Sequence, residues 1–267
     1  VVGGGPAGLE CARVAALAGH RVRLVEREPQ LGGMLRLAAL QPGRERLALL
    51  ADWLERECRA AGVELLTSHE ADELQCRAAT AVVLCTGSVA RPLGPFTVVR
   101  GAIAQTAVDV LAAIREGDPG GGLPEGRIAV LDPIGGPTGI AVAELLAPHR
   151  PVALLTPDGV AGTLLSLTGD LAPANVRLHQ AGVAIVRRVR VLTVRRRVVE
   201  LEHTLTAERL REEAVALVDC GHRLPDPLLA DTELARAGDA LAPRTALEAI
   251  LEGRRAAAAL ARAAVAV

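Results

Sequence analysis

Apolar positions along this chain fall into two repeating patterns. Short, mostly apolar runs at 21–25, 63–66, 81–84, 127–131, 151–155 and 214–218 read as strands. Longer stretches with apolar residues at every third or fourth position read as helices. In 45–61, Leu47, Leu50 and Leu54 share one face, and Gly62 supplies the stop. Residues 107–116, 140–147 and 173–181 follow the same period, and Gly182 ends the last of them. Runs at 183–186, 189–194 and 198–201 read as three more strands, and an Ala/Leu-rich stretch from 244 to the end as a long helix. The breaker-rich segment Gly117-Asp118-Pro119-Gly120-Gly121-Gly122-Leu123-Pro124 reads as a linker or long surface loop.

Twice, a strand runs straight into a glycine-rich turn and then a helix, as in a duplicated nucleotide-binding half. The predicted fold class is α/β, with two Rossmann-like dinucleotide-binding domains, the second inserted into the first. Residues 1–105 plus 232–267 form the first and 106–231 the second.

The first turn, Val2-Gly3-Gly4-Gly5-Pro6-Ala7-Gly8, is a G-x-G-x-x-G. Gly3 makes the tight turn, Gly5 lets the backbone approach a pyrophosphate, and Gly8 lets the helix pack on the strand. The helix N-terminus then offers N–H groups and a positive dipole to phosphate. Glu26, at the end of the next strand, is placed to accept from ribose hydroxyls. The second turn, Asp132-Pro133-Ile134-Gly135-Gly136-Pro137-Thr138-Gly139, departs from this. Aligned on Gly136 and Gly139 it puts Ile134 at the first glycine, and a β-branched residue resists that turn. The strand end Leu155-Thr156-Pro157-Asp158 carries no arginine pair for a 2′-phosphate, so selectivity for NADPH is not supported.

Composition narrows the function. Half of the 267 residues are apolar, enough for a sizeable core, and mean hydropathy is +0.30. Formal net charge is −1, which argues against a nucleic-acid or membrane-surface partner. The C-terminal Ala/Val tract is broken by Arg254, Arg255 and Arg262, so no membrane span is expected. Arg195–Arg197 read as a solvated strand or turn. Cys11, Cys58, Cys76, Cys85 and Cys220 show no CxxC spacing and read as reduced thiols, which points to the cytoplasm. The six histidines show no metal-ligand spacing, and no metal site is expected. Aromatic stacking on a flavin or base is limited to Trp53 and Phe96. The chain opens in mid-strand without a methionine, and a longer parent protein is expected.

The ordered motifs Gly3–Glu10, Val25–Arg27, Leu31–Met34, Pro42–Arg44, Cys85–Ser88 and Ala237–Arg244 have a familiar arrangement. They resemble the C-terminal half of the 2,4-dienoyl-CoA reductase, trimethylamine dehydrogenase and histamine dehydrogenase group of the old yellow enzyme superfamily. Asp132–Gly139, Leu167–Asn175 and Val218–Asp226 are most similar to its mycofactocin-associated branch. The resemblance covers essentially the whole chain. It implies a parent with an N-terminal (β/α)₈ barrel carrying FMN and, in many members, a [4Fe–4S] cluster, neither of which lies in this sequence. It also implies that this chain binds FAD or ADP in its first domain. The chain would pass hydride or electrons between a nicotinamide cofactor, NAD(P)H, and the barrel. In the trimethylamine dehydrogenase branch the second domain is degenerate, so a scaffold that holds ADP or a dinucleotide without catalysis stays open. A disulfide reductase of the thioredoxin-reductase type shares the layout but lacks its CxxC here.

Residue by residue, the resemblance places Gly3, Gly5, Pro6, Ala7 and Gly8 on the pyrophosphate, Glu26 on a ribose and Arg27 over the adenine. Gly33, Met34 and Arg44 fall at cofactor-contact positions, with Met34 where the reductase branch has glutamine. Ala71 presents backbone to the adenine edge. Thr86 and Gly87 match an A-T-G loop in which Cys85 replaces the alanine and is read as inert. Gly238 and Asp239 match the G-D element that receives a ribityl hydroxyl, and Gly136 and Gly139 keep two roles of the second turn.

Overall fold

The computed structural model describes residues 1–71, 76, 78–91, 93–228 and 232–265, with side chains described to residue 260; the last two residues of the expected C-terminal helix lie outside them. The chain forms two compact units. The first comprises Val1–Ala39, Gly43–Val89 and the chain from Arg223 to the C-terminal helix; the second comprises Leu40–Pro42 and Ala90–His222. The crossings lie at 89/90 and 222/223, against the expected 105/106 and 231/232. The reason is the strand Ile103–Thr106, which hydrogen-bonds to Ala216–Asp219 in the sheet of the second unit.

In the first unit every described strand pairing of the sheet around Val2 is parallel. Glu64–Leu66 pairs with Arg23–Val25, Val2 bridges Val25 and Leu84, and Val83–Leu84 pairs with Ala235–Arg236. Numbered along the chain, that is the 3-2-1-4-5 order of a Rossmann sheet, with the strand ending at Val2 in the centre. Helix Pro6–Leu17 leaves the central strand and packs against helix Arg46–Ala60 on one side and helix Ala246–Val265 on another. Small side chains make the second contact: Ala7, Cys11, Ala15, Ala249 and Ala257 are all buried there. Glu10, 1% exposed, is bound at 2.9 Å by Arg13 and at 2.7 Å by Arg254. Burial alone raises its pKa, but the hydrogen bonds from the two guanidinium groups outweigh this and hold it below the ordinary carboxylate value.

The second unit repeats the plan. Its parallel sheet runs Ile103–Thr106, Ala216–Asp219, Ile128–Leu131, Val152–Leu155, Ala184–Val186. The strands Ile128–Leu131 and Val152–Leu155 are buried at every position, as their unbroken apolar runs require. Beside it Val189–Val194, Val198–His203 and Arg209–Glu213 form an antiparallel meander, joined at one edge by Thr97–Val98. Val189, Val191, Val199 and Leu201 of the meander share a core with Ala129, Leu155 and Leu217 of the parallel sheet. Arg195–Arg197 occupy the exposed hairpin turn, where Arg195 pairs with Glu200.

Gly253 sits inside the C-terminal helix, where alanine would ordinarily add about 1 kcal/mol of stability. A Cβ there would lie 2.1 Å from the carbonyl oxygen of Ala7. Packing outweighs propensity, so Gly253→Ala is expected to lower unfolding free energy by about 1–3 kcal/mol in urea titration. A stabilised variant would show that the two helices do not meet this closely.

Candidate nucleotide-binding site

The first glycine turn is built from the strand end outward. Gly3 donates to Val25 O at 2.8 Å and Cys85 donates to Val2 O at 2.7 Å, which locks three parallel strands at their C-terminal ends. Gly3 has φ +105°, and a Cβ on it would lie 2.2 Å from Cys85 O; a Cβ on Gly8 would lie 1.8 Å from Gly3 O. These two glycines are therefore required by the fold. Gly5 is different: its φ of −75° suits any residue, and a Cβ on it would meet nothing within 4 Å. Helix Pro6–Leu17 begins at this point with Pro6 in its first turn, no side-chain cap and no acidic residue near its start. Its N-terminal dipole thus faces open ground.

A cleft opens beside the turn, lined by Val2, Gly3, Val25, Glu26, Arg27 and Thr86, and by His69, Glu70, Ala71, Asp226 and Leu228. Glu26 receives the Gly4 N–H at 2.6 Å and the Glu28 N–H at 2.8 Å, so its carboxylate is fixed at the strand end. Thr86 Oγ1 is buried and has no partner among the described residues. Gly33 seats on the turn: a Cβ there would lie 3.2 Å from Gly5 Cα, and Gly32 donates to Gly4 O at 2.8 Å.

Of the residues singled out in the sequence, the cleft brings together Gly3, Glu26, Arg27, Ala71 and Thr86. Gly5, Pro6, Ala7, Gly8 and Gly33 form the turn beside it, and Gly87 accepts from the Asp226 N–H at 3.1 Å. Gly238 packs on Ala7, and Asp239 accepts from the Ser88 hydroxyl at 2.9 Å, which itself accepts from Arg223 Nε at 2.8 Å. Met34 and Arg44 are half-buried outside the lining, Met34 opening the short helix Met34–Ala38 and Arg44 preceding helix Arg46–Ala60. His69, Glu70, Asp226 and Leu228 were not anticipated. Asp226 and Leu228 arrive from the far end of the sequence, and no spacing rule marks them.

The second turn corrects the sequence alignment. Asp132 donates to Leu155 O and Cys220 to Leu131 O, both at 2.9 Å, repeating the bonds of Gly3 and Cys85. The first-glycine place is therefore held by Asp132 rather than Ile134, because the turn is two residues longer: six residues separate Asp132 from Gly139, against four between Gly3 and Gly8. Thr156, donating to Val186 O at 3.0 Å, stands where Glu26 donates to Leu66 O at 2.8 Å, so this strand end has no carboxylate. Gly136 caps helix Pro137–Leu146, and a Cβ on Gly139 would lie 2.5 Å from Asp132 Cβ.

Three of the buried cysteines have raised thiol pKa values. Cys85 is held well above the ordinary thiol value by its hydrogen bond with Cys11 and by burial, burial does the same to Cys220, and Cys58 is pushed up to about 12 by burial. The second unit contains Cys220 as its single cysteine, which leaves no partner for a disulfide centre there. Among the described residues no acidic, histidine and cysteine group is arranged to hold a metal, and no helix is long and apolar enough to cross a membrane.

Comparison with known proteins agrees with this geometry. Residues 1–84 match the family described as FAD dependent oxidoreductase. NADH oxidase from Thermoanaerobacter brockii is 44% identical over 90 residues, 33% of this chain and 14% of that protein. The solved structure of histamine dehydrogenase from Rhizobium sp. 4-9 superposes with a TM-score of 0.88 at 24% identity, over 96% of this chain and 42% of that one. Thioredoxin reductase from T. acidophilum gives 0.69 at 15% identity, covering 99% of this chain and 97% of that one. The fold is thus the mixed α/β, parallel-sheet fold of FAD/NAD(P)-binding Rossmann-type flavoenzymes. The chain spans less than half of the histamine dehydrogenase it superposes on.

Two outcomes follow from the two turns. Gly5→Ala is expected to leave stability within about 0.5 kcal/mol of the parent chain. The same change is expected to weaken ADP binding at least ~10-fold by calorimetry; unchanged affinity would mean that no ligand lies over Gly5. In the second unit burial raises Asp132 from 3.8 to about 6, against the bonds it receives from Gly135 and Ile134. The folded state then holds this proton more tightly than the unfolded state. Its contribution is complete below pH 3.8 and is lost as pH rises through about 6. The stability of Asp132→Asn relative to the parent chain should therefore rise by about 3 kcal/mol across that window, measured by urea unfolding at each pH.

Proposed function

We propose that the first unit binds the ADP half of FAD, or ADP itself, and that the chain is the FAD-binding module of a larger flavin-dependent oxidoreductase. The observation that carries this reading is the open ground over Gly5 at an uncapped helix start, flanked by the fixed carboxylate of Glu26 and the unpartnered hydroxyl of Thr86. Backbone N–H groups at the start of helix Pro6–Leu17 would receive pyrophosphate, Glu26 a ribose, and the cleft lined by His69, Glu70 and Ala71 the adenine. Gly33 would close over the pyrophosphate, and Asp239, held by Ser88, would accept from a ribityl hydroxyl. When bound, FAD supplies the ring that accepts a hydride and releases electrons. The family matched by residues 1–84 supports this reading.

The resemblance supplies the rest of the proposal. The parent would carry a (β/α)₈ barrel with FMN and a [4Fe–4S] cluster, belong to the mycofactocin-associated branch, and work in the cytoplasm with NAD(P)H as the nicotinamide partner. A second reading is favoured by Asp132 in the first-glycine place and Thr156 in place of an acid. It is a scaffold in which the first unit holds ADP or FAD and the second takes no nicotinamide. An absorbance spectrum and mass-spectrometric ligand identification on the full-length parent, followed by anaerobic NADH, separate the two. FAD bands that bleach with NADH are expected from an oxidoreductase module fed by nicotinamide. FAD or ADP with no response to NADH establishes the scaffold, and a parent with no bound nucleotide overturns both.

A further inference from the structure

The two units match bond for bond at the strand ends beside each glycine turn. In the first, Glu26 N donates to Leu66 O at 2.8 Å, Ser68 N to Glu28 O at 3.1 Å and His69 N to Glu26 O at 3.0 Å. In the second, Thr156 N donates to Val186 O at 3.0 Å, Arg188 N to Asp158 O at 3.1 Å and Val189 N to Thr156 O at 3.1 Å. Ser68 and Arg188 also share a left-handed backbone, with φ of 52° and 57°. This register equates Glu26 with Thr156 and Ser68 with Arg188. In the first unit Glu26 and His69, at these strand ends, line the cleft proposed above for adenosine.

In the second unit the same place has changed the sign of its charge. The acid is gone: Thr156 is fully buried, and its hydroxyl accepts from Asp158 N at 3.2 Å. A cation has taken up position: a Cβ on Gly159 would lie 2.9 Å from Arg188 Nη2 and 3.3 Å from its Cζ. Gly159 has no left-handed φ, so what its missing side chain provides is room for that guanidinium. The Arg188 side chain is exposed and forms no ion pair among the described residues. Asp158, the acid of this loop, is engaged elsewhere: it accepts from the Thr163 hydroxyl at 2.6 Å, beside the Gly135 turn. The helix start at Gly136 is uncapped, and a Cβ there would meet only Ile134 Cγ2 at 3.7 Å. An acid at this strand end suits the free hydroxyls of an adenosine ribose, whereas an arginine nearby suits a 2′-phosphate, which a carboxylate would repel. We infer that the second unit selects an adenosine bearing a 2′-phosphate, as in NADPH, over the unphosphorylated adenosine of NADH, and that Arg188 reads the phosphate. This rests on the reading in which the second unit takes a nicotinamide cofactor. The absence of an arginine pair after Leu155 argued otherwise, but the fold supplies one arginine from the end of the neighbouring strand.

Residue-resolved amide NMR of the chain titrated with 2′,5′-ADP and with 5′-AMP tests this, since the two probes differ only in the 2′-phosphate. The amides of 156–159 and 186–189 report on the second unit, and those of 26–28 and 67–71 on the first. In the parent chain the second-unit amides are expected to saturate with 2′,5′-ADP at a Kd at least ~10-fold below that for 5′-AMP. Arg188→Ser installs the residue that the first unit carries at this backbone position. It is expected to remove the difference and to leave the 5′-AMP affinity within about twofold. Arg188→Lys, which keeps the charge without the planar fork, is expected to retain part of it. Equal affinities for the two probes, or a preference that survives Arg188→Ser, would overturn the inference and leave the nicotinamide reading standing. No saturable shift with either probe at the second-unit amides would overturn both.

Discussion

The carbonyl of Gly3 lies 1.8 Å from where a side chain on Gly8 would begin, and the rest of the first unit is arranged around that contact. Strand and helix approach so closely that both positions must lack a Cβ, and Cys85 O closes the third side at 2.2 Å from the Cβ position of Gly3. Once the helix is pressed onto the strand end, its N-terminus points out over the C-terminal edge of the sheet, where parallel-sheet proteins place their ligands. A chain with one tryptophan, one phenylalanine and no tyrosine suits this construction, because a core of alanine, valine and leucine lets backbones meet. The same economy of volume recurs where Gly253 crosses Ala7.

The second unit shows what becomes of that construction when its central constraint is relaxed. Two extra residues in the turn remove the need for glycine at the strand end, and the longer loop has amides to satisfy. Asp132 satisfies them at the cost of burying an acid, which its raised pKa records. The surrounding fold does not need the first turn's chemistry: the parallel order around Ile128–Leu131 repeats that around Val2, and Cys220 occupies the place of Cys85. The same sheet order thus carries two differently built turns within one chain.

The α/β architecture was legible because its central strands are unbroken apolar runs and its helices keep a clean period. Strands of two or three residues, such as Val83–Leu84, Ala235–Arg236 and Thr97–Val98, carry too few positions for a pattern and exist by pairing alone. Arg209–Glu213 reads Arg-Leu-Arg-Glu-Glu, and its charges, suited to an exposed sheet edge, hide it from any hydrophobic scan. Gly3, Glu26 and Thr86 were legible because each stands at a strand end. Asp226 and Leu228 were not, since only the fold brings a segment more than two hundred residues from the turn to the same cleft. Ile134 was misaligned because glycine matching counts positions, whereas the hydrogen bonds of Asp132 and Cys220 fix the register.

The contrast between the turns also sets how each unit depends on its surroundings. In the first unit the helix start lacks a cap, so a bound anion would add interactions that the unfolded chain cannot make, and stability would then rise with ligand concentration. In the second unit Asp132 satisfies the amides of Ile134 and Gly135, and the helix start at Gly136 likewise lacks a side-chain cap. The second turn adds a dependence on pH, since its buried carboxyl is itself titratable. The two loops therefore differ in where their carboxylate comes from, the neighbouring strand in the first and the strand end itself in the second. This follows from one carboxylate and two extra residues, not from any change in the sheet that carries them.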